Sequence, residues 1–495
     1  MERWHLITTI VSLYLLITLT VGLVAGRRAT TGVTGYVAAD RSFGLLPMYF
    51  IVGGTVFSAF AFLGAPGWAY SRGMAVLYIL SYGVIGIAPW YFIGPRAARL
   101  GRTHGIVTQA QMVCARFPSR TLSALLAVIT VAASVPYVML QMSGAGIVFQ
   151  AVTQGHVPFW LGAALAYGVV VIYVLLGGAA AVGWTNVLQG MIMMAVAWGV
   201  GLYLPISLYG GVSAMFERIA DVRPELLTLP GLGPDGERWS WGAYSTAILS
   251  SAVGFMMWPH LFMKAFSARD YRTLRRTVVL FPTFQLFLVP LILVGFAGVL
   301  FPTSPAEADS VLPHMILETG LPAIMVGLFC AGALAASMST GDTLLHGAAS
   351  IAIEDGISPF VRLSEARRRL MMQMLVLGIG GLAYWLAVIQ QRSLVWLLLT
   401  AYGIVDQLAP PVYAALLWRR ATTSGILAGL LAGSATAIVF FLNPALRPFE
   451  IHEGILGLFV NIAVLITVSL LTRPQKPPHV DAFVLPAEPS AAAIR

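Results

Sequence analysis

The sequence predicts an all-α polytopic membrane protein with thirteen transmembrane helices, its N-terminus outside and its C-terminus cytoplasmic. Three observations carry that prediction. First, 58% of the 495 residues are hydrophobic and only 10% are charged, too little charge to cover a water-soluble globule of this length. Second, the apolar runs are continuous rather than alternating and approach the ~20 residues a helix needs to cross ~30 Å of hydrocarbon, so they are helices and not barrel strands. Third, arginine and lysine gather in every second loop, the pattern that places basic loops inside.

Taken in order, the runs are centred in residues 5–25, 44–70, 74–95, 122–150, 158–176, 185–208, 242–263, 278–301, 321–350, 370–389, 394–417, 423–442 and 454–472. The first ends near Val24-Ala25-Gly26 as a signal peptide does, but its length and the following Arg27-Arg28 fit a retained anchor. Basic groups follow the odd-numbered runs except the fifth. Arg27, Arg28 and Arg41 follow the first; Arg96, Arg99, Arg102, Arg116 and Arg120 the third; Lys264, Arg269, Arg272, Arg275 and Arg276 the seventh. Arg362 and Arg367 to Arg369 follow the ninth, Arg419 and Arg420 the eleventh, and Arg473 and Lys476 the last. Among the intervening loops only Arg72, a mixed-charge loop with Arg218, Arg223 and Arg238, then Arg392 and Arg447 occur.

The net charge of +9 is therefore cytoplasmic-loop arginine beside a lipid bilayer, and no nucleic-acid partner is needed to explain it. Cys114 and Cys330 suggest neither a disulfide framework nor a metal site. The longest hydrophilic loop, Glu217 to Ser240, is too short to house a separate enzyme domain, and the proline- and alanine-bearing tail from Arg473 reads as disordered.

Polar and breaker residues inside the runs carry the functional reading. The second run holds Gly53, Gly54, Thr55 and Ser58 at its middle. Paired glycines there either weaken the helix, so that carbonyls and helix N-termini face an ion or solute, or let helices pack closely. The ninth run contains Ala333-Leu-Ala-Ala-Ser-Met-Ser-Thr-Gly-Asp-Thr-Leu-Leu-His346. At ~100° per residue Ala336, Ser339, Thr340 and Thr343 share one face, with Asp342 and His346 on its flank. A carboxylate at membrane depth costs at least ~2.5–3.5 kcal/mol and needs a partner or a wet cavity. With hydroxyls around it the set suits a small alkali cation; pairing of Asp342 with His346 is the competing reading. Tyr137 and Gln141 lie one turn apart in the fourth run, and Asn186 and Gln189 open the sixth. Asp406, in the eleventh, is either a coupling group or a helix-to-helix hydrogen bond in protonated form. His260, in Trp258-Pro-His260 at the boundary of the seventh, reads as interfacial.

These residues resemble the sodium:solute symporter family. Arg41-Ser-Phe-Gly44 and Gly64-Ala-Pro-Gly67 are similar to the entry and exit of its first core helix. Tyr173-Val-Leu-Leu-Gly-Gly-Ala-Ala-Ala-Val-Gly-Trp-Thr-Asn-Val-Leu-Gln189 resembles its signature between core helices four and five, and Met338-Ser-Thr-Gly-Asp342 that of core helix eight. Trp258-Pro-His-Leu-Phe-Met-Lys264 looks like the monocarboxylate and pantothenate branch.

The resemblance implies a LeuT-type core of two inverted five-helix repeats, residues 44–208 and 242–420. Residues 1–43 would form an extra helix and loop, 209–241 an external loop, 421–472 two additional helices and 473–495 a cytoplasmic tail. It implies a sodium site made of the carbonyls of Gly54, Phe57 and Ala336 and the hydroxyls of Ser339 and Thr340. Many members carry aspartate where this chain has Asn186, so a second cation site, or a proton site, is expected around Asp342, Thr343 and Asn186. Thr55, Ser58, Phe60, Tyr137 and Gln141 are the candidate solute contacts, with Phe57, Phe60, Phe62 and Tyr137 either an apolar wall or ordinary packing. The implied function is sodium-coupled uptake of a small, monocarboxylate-like solute across the plasma membrane, with sodium co-transported and no organic cofactor. Proton coupling and a non-transporting solute receptor are the alternatives. An enzyme is disfavoured because no nucleophile motif accompanies Asp342 and His346.

Overall fold

The computed structural model describes residues 3–27, 32–390 and 393–484. Arg28, Arg392 and the last residues of the tail, named above, lie outside them. The described chain is helical throughout, with only two isolated bridges of extended backbone. Among the described residues, ten helices are long and apolar enough to cross a membrane, or eleven when one bent pair counts as a single span.

Leading into the core, α1 spans Arg3–Gly26 and α2 spans Leu45–Val56. A π-helical turn, Phe60–Gly64, then joins α3, Ala65–Arg72. After α4 (Leu77–Ile87), α5 (Trp90–His104) and α6 (Gln109–Arg116) comes the long α7, Arg120–Val152. The element α8, Phe159–Tyr209, runs for 51 residues but turns at Gly178, where φ is 53°. A Cβ at that glycine would sit 2.5 Å from the Tyr36 ring, so both its backbone and its neighbour require glycine. At ~1.5 Å per residue an unbroken helix of that length would extend ~75 Å, over twice the hydrocarbon thickness. The expected fifth and sixth runs are thus joined by a one-residue break rather than a loop.

The second half contains α9 (Trp241–Gly254), α10 (Tyr271–Gln285), α11 (Leu288–Val299) and α12 (Ala323–Ile351). It continues through α13 (Glu365–Ile389), α14 (Leu394–Val405), α15 (Ala409–Leu417), α16 (Thr423–Leu442) and α17 (Glu453–Leu471). Helix starts carry side-chain caps: Leu122 N–H donates to Ser119 (3.1 Å), Thr273 N–H to Asp270 (2.7 Å) and Gly425 N–H to Thr422 (3.2 Å).

Two further helices are broken part-way along their length. Val56 ends α2, Phe57 takes extended torsions (φ −93°, ψ 100°), and helix resumes near Phe60. Gly53 and Gly54 lie within the helix before the break. A Cβ on Gly53 would sit 2.4 Å from the Phe284 ring, and one on Gly54 3.2 Å from the Asn186 carbonyl, so this pair serves close packing. The second break is at Trp258 (φ −52°, ψ 118°), where the segments Trp241–Met257 and Pro259–Ser267 meet at 47°. Pro259 accounts for it, because proline excludes helical torsions from the residue before it.

The tail differs from its expected disorder. Residues Pro477–Phe483 form a helix, α18, whose Val480 and Phe483 are buried. Arg419 pairs with Asp481 at 2.7 Å, and His479 Nε2 lies 2.9 Å from the Arg116 carbonyl. An apolar pair at helical spacing within a proline-rich stretch is enough to dock one turn of chain.

Candidate cation and solute sites

Helix α12 passes through the middle of the bundle, and every residue from Cys330 to Ile351 is buried. Its small residues let α2, α7 and α8 approach, which is how hydroxyls distant in sequence come together. The Ser339 hydroxyl donates to the Gly54 carbonyl at 2.7 Å and lies 3.2 Å from the Ala336 carbonyl. One turn position on, the Thr340 hydroxyl donates to the Thr55 carbonyl at 2.9 Å. Four of the five predicted sodium ligands are therefore joined across the end of α2 and the middle of α12. Phe57, the fifth, occupies the break itself, with its ring stacked on Phe281 and Phe284 at 5.6 and 5.7 Å.

A second polar set adjoins the first through Thr343, whose hydroxyl lies 3.1 Å from the Ser339 carbonyl. The Asp342 carboxylate accepts from Thr343 (3.0 Å) at one oxygen, and from Tyr173 (2.6 Å) and Thr185 (3.2 Å) at the other. Asn186 donates from Nδ2 to Thr55 Oγ1 (3.2 Å) and Thr343 Oγ1 (3.0 Å), tying α2, α8 and α12 together. Its Oδ1 is buried and has no donor among the described residues. An orphaned amide oxygen beside a carboxylate and hydroxyls is a donor set for a hard cation. His346 does not serve Asp342; its Nε2 meets the Tyr36 carbonyl at 2.8 Å. Tyr173 and Thr185 were not singled out from the sequence. Both lie in the motif quoted above, Tyr173 at its start and Thr185 before Asn186, but nothing local at either position points to Asp342.

The candidate solute contacts divide between two places. Thr55 belongs with the cation cluster, since its hydroxyl and carbonyl are engaged by Asn186 and Thr340. Ser58, Gln141 and Tyr137 gather at the breaks. Gln141 Oε1 accepts from Ala59 N–H (3.0 Å), Ser58 Oγ from Phe60 N–H (3.3 Å), and the Tyr137 ring lies 4.8 Å from Trp258. Phe60 is buried in the turn that follows the first break. Gln141 Nε2 is buried without a partner among the described residues, an amide donor free for an oxygen of a ligand. Trp258 and its neighbour Tyr402, with ring centroids 5.6 Å apart, extend the aromatic wall. Asp406 lies elsewhere: it accepts from Ser250, while the adjacent Gln407 bonds the Gly454 carbonyl (3.0 Å) and receives Asn461 (3.1 Å).

A model of the sodium:solute symporter family matches residues 36–433. The chain belongs to this family. It is 26% identical over 486 residues to the high-affinity proline transporter PutP of Bacillus subtilis, covering 94% of this chain and 98% of the relative. It is 25% identical over 453 residues to a monocarboxylate transport permease of Rhizobium johnstonii, covering 88% and 90%. A solved Na+-coupled sialic acid symporter, in a substrate-bound outward-open state, shares the fold with a TM-score of 0.78 at 17% identity, covering 95% of this chain and 98% of that one. The symporter is thus a multi-pass membrane transporter of LeuT-like architecture, and transporters of this family are not enzymes.

Proposed function

We propose that the chain is a sodium-coupled secondary symporter of the plasma membrane that imports a small organic solute by alternating access. The single observation that carries this reading is the Ser339 hydroxyl held between the Gly54 and Ala336 carbonyls, with Thr340 on Thr55. A sodium ion at Gly54, Phe57, Ala336, Ser339 and Thr340 would bind α2 to α12 and so favour the conformation in which they are close. Each sodium entering down ~100 mV supplies ~2.3 kcal/mol before its concentration gradient is counted. Asp342, Thr343 and Asn186 form the second cation site in this reading, supported by the orphaned Asn186 oxygen.

The topology proposed with it has thirteen passes, N-terminus outside and C-terminus cytoplasmic. Its supports are the break at Gly178, which divides α8 into two passes, and the clustering of arginines on alternate loops. Residues 44–208 and 242–420 are the two inverted repeats, each opening with a broken helix. The solute is a small carboxylate: Gln141 Nε2 donates to it, Ser58 lies beside it, and Phe60, Tyr137 and Trp258 wall its apolar part.

The test is uptake into proteoliposomes from a panel of small radiolabelled carboxylates, with inward sodium, inward proton or no gradient. Sodium-driven accumulation of at least one, abolished in the Ser339→Ala/Thr340→Ala double variant, is expected. Accumulation driven by protons alone, or full retention of sodium-driven uptake in the variant, would overturn the assignment.

A further inference from the structure

Asp342 is hydrogen-bonded but not charge-balanced. Its three donors, Tyr173, Thr185 and Thr343, are neutral hydroxyls. Neutral donors stabilise a carboxylate without removing its net charge, which remains costly at membrane depth. The buried cation that shares its Thr343 neighbour is Lys264.

Lys264 lies in the short helix Lys264–Ser267 that follows the break at Trp258, and it is only 9% exposed. From sequence it reads as one more basic residue at a membrane boundary; in the fold it points inward. Gly347 makes this possible, because a Cβ there would lie 3.1 Å from the His260 Cβ and hold the Pro259–Phe262 turn away from α12. Lys264, His260, Thr343 and His346 line a common cavity of about 20 Å³. That is room for about one water molecule. Thr343 stands on both sides of the matter: it faces this cavity and donates to Asp342. Among the described residues Lys264 forms no direct ion pair. A buried ammonium thus lines a small cavity whose Thr343 wall donates to a buried carboxylate, and neither charge has a charged partner in contact among the described residues. Lysine is a compact point charge on a flexible four-carbon stem, able to cross such a gap.

We propose that Lys264 is a tethered counter-cation of Asp342: without an alkali ion beside Asp342 the ammonium crosses the cavity to the carboxylate, and an entering ion displaces it. The inference rests on the reading of Asp342 and Thr343 as a second cation site. Its consequence is that the cation-free symporter reorients with Asp342 neutralised, so the return step carries no uncompensated charge at mid-depth. Lysine and sodium then compete for one carboxylate, and removing the competitor tightens sodium binding.

The experiment is thermal melting of the purified full chain in choline chloride and across a sodium series at constant ionic strength. The variants are Lys264→Met, Lys264→Arg, Asp342→Asn and the Lys264→Met/Asp342→Asn double. In choline each neutralising single variant lowers the melting temperature, and the double variant loses less than the sum of the two, because it buries no lone charge. In sodium, Lys264→Met reaches half-maximal stabilisation at about tenfold lower concentration, within the range of ordinary coupling between sites. Lys264→Arg keeps the charge and stays near the wild-type midpoint, a distinction that a merely structural role would not produce. Should Lys264→Met fail to fold, Lys264→Gln takes its place. Strictly additive melting shifts would overturn the pairing. A coupled melting cycle with an unmoved sodium midpoint would overturn the displacement and the second cation site with it, leaving the Ser339 site standing. Absence of any sodium effect in the wild type would instead refute the sodium reading as a whole.

Discussion

Asp342 and Asp406 are both fully buried in the bundle, and they are surrounded differently. Asp342 receives three hydroxyls from α8 and α12, touches the Thr343–Asn186 bridge, and shares its Thr343 neighbour with the cavity that Lys264 lines. Asp406 receives one hydroxyl, from Ser250, and its Oδ1 has no partner among the described residues. Its neighbours are the amides Gln407 and Asn461 and another acid, Glu453, which is itself paired with Arg447 at 3.0 Å. An environment rich in donors and cations suits a charged carboxylate, whereas one with a single donor and a nearby acid suits a neutral one. The difference teaches that membrane depth alone does not make an acid a coupling group; its partners do.

This contrast is open to attack, beginning with the largest effect. Asp342→Ala is expected to lower sodium affinity by about 100-fold, near the upper end of ordinary coupling, when sodium-dependent melting is measured. It also strands the Tyr173 hydroxyl, at a cost of ~1–3 kcal/mol for a buried group left unpaired, whereas Thr185 keeps the Ala181 carbonyl at 3.0 Å. A smaller effect is expected of Asn186→Asp, which places a second carboxylate beside the Thr343 bridge. Repulsion should lower its melting temperature in choline, with sodium restoring most of the loss; a loss that sodium does not repair would count against a cation at this place. The smallest effect belongs to Asp406→Asn. An amide keeps the shape of a neutral carboxyl, so the sodium midpoint should move by less than ~2-fold. A shift as large as that of the Asp342 variant would erase the distinction between the two acids.

Much of this organisation was legible in the sequence. Continuous apolar runs and alternating loop arginines suffice for the helices, and helical spacing alone places Ser339, Thr340 and Thr343 on one face. What was not legible depends on distance in the chain. Two of the three donors to Asp342 lie 157 and 169 residues away, and nothing local in α8 says that either reaches α12. From sequence Gly53 and Gly54 admit either a weakened helix or close packing, and the break falls at Phe57. Those glycines are used instead to admit Phe284 and the Asn186 carbonyl, because burial outweighs intrinsic propensity. Lys264 was counted among boundary charges, since sequence shows that a lysine ends an apolar run but not which way its stem turns after Pro259.

The central claim is that oxygens from the end of α2 and from the Ser339 turn of α12 hold one alkali ion between them. Equilibrium binding of radioactive sodium to the purified symporter, compared with the Ser339→Ala/Thr340→Ala variant, tests it most directly. Saturable binding in the wild type that vanishes or weakens by more than about tenfold in the variant is the expected result. Undiminished binding in a variant that melts as a folded protein would contradict the account.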